Sequence, residues 1–462
     1  MRFFHKGAGG EAWRATIWYT AASLFTKAFG FLTIPLYTNL LTTAEYGYLN
    51  TYNAWISILS VVLGLSLSSA VIQVQNENRA VRDAYQSSVL GLSLVSFLLM
   101  GSVILLAAFC LGGGINGLLV LALIQSYATF VMNFILQELV LDNRYVKYSL
   151  LSVISAVIPI LITCAMIQYL FLDRRYLDVI LPRAAVAVVI MAWVMAAVFG
   201  RGKLFFNRQY WKKSLAYCVP IVFHTLALSV MLQADRIMIS WFRGYEEAGI
   251  YSFIYNVTLV IGVVVAALEN TWKTWFFRSV NEISMDRIHE RAATYILCGE
   301  AGILSFVYLS PEFIRLLANQ AYWQSAYLTA PIAFAYLFSV FYDFLVYYEY
   351  HRNATGKIAS ASIAAAAVNI ALNGLFIPGW GAAGAAIATV MARFVQFLLH
   401  LRTVHRLEPK AFPFRMYLPF LWRSAGMTAA FLLLYPWPFL RWAALAVYLG
   451  SRWKGIKSFF AV

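Results

Sequence analysis

Apolar runs long enough to cross a bilayer recur along almost the whole chain, and no other feature limits its fold so strongly. About 20 such residues span the ~30 Å hydrocarbon layer as a helix. A backbone placed in lipid must also satisfy its own hydrogen bonds, so each run is expected to be helical. The runs fall at 15–41, 47–73, 86–112, 115–140, 149–171, 177–199, 212–242, 247–272, 289–309, 326–350, 358–377, 382–404, 413–435 and 437–451. Only 12% of the residues are charged, against about a quarter in soluble domains. The chain therefore reads as an all-α polytopic membrane protein with fourteen spans, or twelve if the last two form a loose or interfacial tail. Either even count puts both termini on one side.

A net charge of +15 could suit a polyanion such as nucleic acid, but its distribution argues otherwise. When the connections are assigned alternately to the two sides, 25 of the 35 Lys and Arg fall on the side of the termini, Arg2, Lys6, Arg82, Arg144, Arg201, Arg208, Lys357, Arg402 and Arg406 among them. Four, Arg174, Arg175, Arg243 and Arg315, fall opposite. That bias is the positive-inside signature, so both termini are expected in the cytoplasm and no nucleic-acid partner is expected. The first apolar run is too long for a signal peptide and should remain as a span. Cys110, Cys164, Cys218 and Cys298 lie apart in apolar segments without metal-ligand spacing, so neither disulfide, metal nor cofactor is expected. No G-x-x-x-x-G-K-[ST] stretch occurs, which argues against an ATP-driven pump. The longest outer connection, 310–325, carries Glu312 as its one acid. That is too little for a membrane glycosyltransferase or polymerase, and the chain is not expected to be an enzyme.

The chain also repeats itself weakly. AEYGYLNTYN (44–53) aligns with EEAGIYSFIYN (246–256), placing Glu45 on Glu247 and Gly47 on Gly249. DNRYVKYSLLS (142–152) aligns with HRNATGKIASAS (351–362), placing Asn143 on Asn353 and Lys147 on Lys357. Six spans per copy make the repeats parallel, and transporters of that design bind substrate near the midplane between halves and alternate access. The expected division is an N-terminal lobe at 1–205, a C-terminal lobe at 206–408 and an extra helix pair at 409–462. The joint GRGKLFFNRQYWKKS (200–214) reads either as an amphipathic segment on the anionic inner leaflet or as a plain loop.

Charges inside spans are costly and usually face a wet cavity or a partner. Asp235 and Arg236 are neighbours in span seven, and neighbours on a helix point about 100° apart, so they do not answer each other. Thr225, Ser229, Ser240 and Arg243 continue the Arg236 face, which points Arg236 to a cavity and Asp235 to an adjacent helix. Lys27 lies on a polar face with Thr16, Thr20, Ser23 and Gly30, and Arg393 on one with Thr389, Gln396 and His400. Tyr336, Ser339, Asp343 and Tyr347 share a face of span ten, and Glu300 stands alone in span nine. Lys27, Arg236 and Arg393 are thus candidate cavity residues for an anion. Asp235, Glu300 and Asp343 are candidates either for coupling to H⁺ or Na⁺ or for structural ion pairs. Glu138, Glu269, Glu349 and Arg183 lie nearer span ends, where snorkelling explains them.

FLTIPLYTNLLTTAEYG (31–47), YCVPIVFHTLALSVMLQADRIMISWFRGYEEAGIYSFIYN (217–256) and AAVNIALNGLFIPGWGAAGAAIATV (366–390) resemble the polysaccharide flippase family, which includes the O-antigen flippases. That family lies within the multidrug/oligosaccharidyl-lipid/polysaccharide exporter superfamily, and the resemblance runs over roughly residues 14–405. It implies two parallel six-helix bundles around a central cleft, plus two C-terminal helices. It implies as cargo a lipid-linked oligosaccharide, usually carried on undecaprenyl pyrophosphate, moved across the bacterial cytoplasmic (inner) membrane in lipopolysaccharide or exopolysaccharide synthesis. Lys27, Arg236 and Arg393 would then receive the pyrophosphate or acidic sugars, with bilayer lipids around the tail and a glycan polymerase and glycosyltransferases as partners. A drug/cation antiporter of the same superfamily is the alternative; a cationic substrate would favour acids as the dominant cavity charges.

Overall fold

Helix boundaries follow local chemistry. Asn78 and Asn116 cap α3 (Arg79–Cys110) and α4 (Gly117–Leu141), each side-chain oxygen accepting a backbone N–H of the first turn, at 3.0 and 2.8 Å. Thr42 and Glu45 form a reciprocal capping box at the start of α2 (Thr43–Gly64): Thr42 N–H donates to the Glu45 carboxylate at 3.1 Å, and Glu45 N–H donates to the Thr42 hydroxyl at 3.2 Å. The computed structural model describes residues 8–112, 114–169 and 174–460, so Arg2 and Lys6 lie outside the described residues. The remaining helices are α1 (Ala8–Leu40), α5 (Tyr145–Tyr169), α6 (Arg175–Gly202), α7 (Arg208–Arg243), α8 (Tyr245–Ser279), α9 (Met285–Leu317), α10 (Thr329–His351), α11 (Thr355–Leu407), α12 (Leu418–Leu434) and α13 (Pro438–Phe460).

Among the described residues, ten helices are long and apolar enough to cross a membrane. The number is eleven if α2 and the 3₁₀ segment Leu67–Val74, bent 49° from it, form one span. α11 enters this count once, although it is two helices joined at Gly381, whose φ of 56° and ψ of −132° suit a residue without Cβ. The break falls between the apolar runs 358–377 and 382–404, as the sequence divides them. α13 has 23 residues and is longer than the expected 437–451 run.

By internal packing the chain forms two units, Met1–Leu41 with Tyr48–Gln233, and Thr42–Gly47 with Ala234–Val462. In the first, Tyr85, Val89, Tyr127, Phe130 and Phe134 pack between α3 and α4, with Val194 and Val198 of α6. One end of this unit carries an ionic lattice. Glu138 of α4 is 2% exposed and accepts both arms of Arg201 from α6, at 2.9 and 3.2 Å, while Asp142 pairs with Arg82 and Arg144. Glu138 therefore does not snorkel; it is buried and neutralised. Within the 200–214 joint, residues 203–207 connect α6 to α7 and the rest belongs to those two helices. Trp211 Nε1 donates to the Ser88 carbonyl at 2.9 Å, and the Phe206 ring meets Trp211 edge-on.

In the second unit, Trp272, Phe276, Tyr295, Phe338, Phe341 and Phe344 centre a core shared by α8, α9, α10 and α11. α12 and α13 belong to this unit and are pinned to α9. Arg441 of α13 is 1% exposed and donates to Glu312 at 2.6 Å and to the Tyr308 carbonyl at 2.9 Å; the Tyr308 hydroxyl donates to the Met427 carbonyl of α12 at 2.8 Å.

Two repeat-related pairs have structural counterparts. α4 and α10 both end in a Schellman turn with asparagine in the left-handed region, Asn143 at φ 55° and Asn353 at φ 56°. In each turn the next N–H reaches back five residues, Arg144 to the Leu139 carbonyl and Ala354 to the Glu349 carbonyl, both at 2.8 Å. Gly47 and Gly249 meet each other. A Cβ on Gly47 would lie 1.8 Å from the Tyr245 carbonyl oxygen, and one on Gly249 would lie 2.0 Å from that of Thr43. The aligned acids have diverged: Glu45 caps its own helix, while Glu247 accepts the Ala382 N–H at 2.7 Å and caps the second half of α11 just past the break.

Candidate functional site

The neighbouring charges Asp235 and Arg236 separate as helix geometry requires. Asp235 is 3% exposed and accepts three hydrogen bonds from neutral donors: the Tyr251 hydroxyl of α8 at 2.6 Å, the Asn373 amide of α11 at 2.6 Å and the Thr389 hydroxyl beyond the Gly381 break at 2.8 Å. Asn373 also donates to Asn369 Oδ1 at 3.1 Å, and its own Oδ1 is buried without a partner. Asp235 turns to adjacent helices, as expected, but it makes no ion pair among the described residues. The result is a buried carboxylate held by one amide N–H and two hydroxyl groups, all of them neutral donors.

Arg236 faces the next turn of α8. It is buried, donates to Asn256 Oδ1 at 2.8 Å and lies over the Tyr255 ring at 4.9 Å; Asn256 donates in turn to the Tyr46 hydroxyl at 3.1 Å. Arg393 is half-buried on the second half of α11 and donates to Gln396 Oε1 at 3.0 Å, with no ion pair among the described residues. Both guanidiniums lie within electrostatic reach of Tyr255 and Tyr336, so this unit brings two of the three candidate cations together. Asp343 lies within reach of Arg393 and Glu269 but has no hydrogen bond among the described residues. Glu269 accepts the Tyr347 hydroxyl at 2.6 Å, over whose ring Lys273 lies. The third candidate, Lys27, is an exposed residue of α1 in the first unit and makes no ion pair among the described residues.

Glu300 is not isolated. It is fully buried and held by Arg423 of α12, whose Nε lies 3.0 and 2.9 Å from its two oxygens, and by the Ser424 hydroxyl at 2.8 Å. Glu300 and Arg423 thus form an ion pair between α9 and α12. Glu349 is likewise wholly buried against His400, 2.9 Å away, and does not snorkel. Sequence reasoning left Arg423 and Arg441 aside; their signal was only that they are two further cations inside apolar runs. Its position near a span end predicts snorkelling for Arg183. It instead lines a 340 Å³ cavity between α1, α4, α5 and α6, donating to the Tyr37 hydroxyl at 3.1 Å.

Apolar helices of spanning length, with a buried carboxylate in a polar nest and guanidiniums beside it, define an integral membrane protein whose polar groups are gathered inside its helix bundles. Comparison with solved structures agrees. The fold matches that of the lipid II flippase MurJ in an inward closed conformation, with a TM-score of 0.70 at 16% identity, covering 95% of this chain and 98% of that one. It also matches an inward-facing multidrug resistance MATE family transporter of the MOP superfamily, with a TM-score of 0.56 at 15% identity, covering 84% and 96%. An "uncharacterized membrane protein" of Haemophilus influenzae is 21% identical over 375 residues, 77% of this chain and 88% of the relative. Residues 12–272 match the family described as polysaccharide biosynthesis protein. The match spans more than half of the chain, and the chain belongs to that family.

Proposed function

We propose that this protein is a secondary-transport flippase. It carries a lipid-linked oligosaccharide, built on undecaprenyl pyrophosphate, from the cytoplasmic to the outer leaflet by alternating access. The observation that carries the reading is the pair of guanidiniums, Arg236 and Arg393, both within electrostatic reach of Tyr255 and Tyr336, in a chain of the polysaccharide biosynthesis family. Fixed cations in membrane helices are expensive, and a pyrophosphate-bearing cargo gives them a purpose. Lys27, exposed on α1, is assigned to the same cargo. The structural relative named a lipid II flippase supports a lipid-linked cargo.

Coupling is assigned to Asp235, which exchanges H⁺ or Na⁺. Its three bonds come from α8 and both halves of α11, so filling or emptying the site acts on two helices at once. Asp343, beside Arg393, is assigned to the same ionic circuit, and Glu300 to structure. On this reading the protein sits in the bacterial inner membrane with both termini cytoplasmic and works beside glycosyltransferases and a polymerase of an O-antigen or exopolysaccharide pathway. The repeat boundaries near 205 and 408 mark its two copies, with 409–462 added to the second.

The test is genetic and chemical. A deletion strain should accumulate the lipid-linked oligosaccharide in the inner leaflet and lose surface polymer. Arg236→Ala and Lys27→Ala should fail to restore it while remaining at normal level in the membrane. Drug sensitivity without accumulated lipid-linked sugar would instead identify a drug/cation antiporter and overturn the reading.

A further inference from the structure

The cavity of the first unit has a composition that its position alone does not explain. Its 340 Å³ lie among four helices, and its walls are opened by the small residues Gly30, Ala128, Ala156 and Ala187. No Asp or Glu occurs among the described lining residues, and Arg183 is the one charged residue there. Arg183 lies eight residues into α6, about 12 Å along its axis at 1.5 Å per residue. One of its five donors is engaged, by the Tyr37 hydroxyl, and its guanidinium lies 5.2 Å above the Tyr37 ring. No carboxylate pairs with it among the described residues. Arg183 thus lines the cavity as a half-buried residue whose guanidinium is braced by a tyrosine and has no counter-ion among the described residues.

The rest of the wall is of a different character. Thr26, Thr33, Thr129 and Ser155 each donate their hydroxyl proton to a carbonyl of their own helix, at 2.7 to 2.9 Å, which leaves the oxygens as acceptors. Gln125 accepts the Tyr52 hydroxyl through Oε1 at 2.9 Å, which leaves its amide N–H groups as donors. A ring of acceptor oxygens suits a ligand rich in hydroxyl donors. At about 30 Å³ per water, the volume equals roughly eleven waters, enough for one sugar ring and too little for a chain of them.

We propose that this cavity is a subsite for one acidic sugar of the cargo glycan, with the sugar carboxylate on Arg183 and its hydroxyls on the threonine and serine oxygens. A single guanidinium fork matches a single carboxylate, whereas a pyrophosphate carries more charge than one Arg offsets. The assignment rests on the flippase reading for its purpose, but it makes a binding claim that can be measured without transport.

The experiment uses the full-length protein in detergent, with glucuronate, methyl glucoside and inorganic phosphate as probes and ligand-dependent melting as the readout. Wild type should show a saturable upward shift with glucuronate, half-saturating at least tenfold below methyl glucoside and phosphate. Arg183→Gln should erase the preference for glucuronate and Arg183→Lys should keep part of it. Thr129→Leu, which fills the cavity and leaves the charge, should weaken both sugars. Equal shifts from glucuronate and methyl glucoside in wild type overturn the proposal without any variant, and so does phosphate acting as well as glucuronate. If lipid-linked sugar accumulates in the deletion strain while the preference is absent, the subsite fails and the flippase reading stands. If the preference is present without accumulation, the flippase reading fails and a sugar-acid site remains.

Discussion

Removing either partner of the Glu300–Arg423 pair should have unequal consequences, and the inequality can be worked from their surroundings. Glu300 is fully buried, and apart from Arg423 it has the Ser424 hydroxyl at 2.8 Å. Arg423→Met would strand a carboxylate in the interior, a loss of about 3–5 kcal/mol for a broken buried pair. Glu300→Gln keeps the shape and leaves a guanidinium whose side chain is 19% exposed and lies 4.9 Å from the Phe420 ring centroid, so it retains some water and a cation–π contact. That loss should be smaller, about 1–3 kcal/mol. The double substitution should cost clearly less than the sum of the two. At about 2–4 °C per kcal/mol for a unit of this size, Arg423→Met should melt roughly 6–20 °C below wild type when followed by tryptophan fluorescence. Transport per folded molecule should change little. A melting point for Arg423→Met within a degree or two of wild type would refute the reasoning. So would a Glu300→Gln protein that melts normally but no longer transports, because Glu300 would then be a coupling residue and the pair incidental.

Two other substitutions bear on the coupling site and on the repeat. Asp235→Asn should retain cargo capture but lose transport at least tenfold together with any response to Na⁺ or pH, measured as clearance of accumulated lipid-linked sugar; unchanged transport would show Asp235 to be idle. Gly249→Ala puts a methyl 2.0 Å from the Thr43 carbonyl oxygen and Gly47→Ala puts one 1.8 Å from that of Tyr245, so each should force the helices apart and cost about 1–3 kcal/mol. Because one displacement relieves both clashes, the double substitution should cost less than the sum, and strictly additive melting shifts would contradict the contact.

What the sequence reveals of this fold is what repeats along one helix. Apolar runs locate the helices, the Ile-Pro-Gly-Trp-Gly run at 377–381 locates a break between helices, and the offsets that align Asn143 with Asn353 and Gly47 with Gly249 locate turns and a crossing of real structural weight. Angular position on a helix also survives, which is why the pattern turns Asp235 toward a neighbouring helix without specifying which one. Partners on distant segments leave no such trace. Arg423 is 123 residues from Glu300, and nothing periodic in either segment announces the other. Depth along a span is a poor guide too: Glu138, Glu349 and Arg183 all lie near span ends, yet Glu138 is buried against Arg201, Glu349 is buried against His400 and Arg183 lines a cavity.

These cases separate two answers to the cost of an intramembrane charge. Glu138, Glu300 and Arg441 each meet an opposite charge and a well-packed surround, and they hold helices together. Asp235 and Arg183 meet neutral dipoles, which orient them without cancelling them, and Arg393 is oriented by Gln396 without a direct ion pair among the described residues. A charge kept oriented and uncancelled retains its attraction for an ion that comes and goes, whereas a paired charge has already spent its field on its neighbour. On the proposed function, the choice of partner, acid or amide, separates scaffold from site. It can be checked residue by residue, since the paired group should lose stability on substitution and the dipole-held group should lose function.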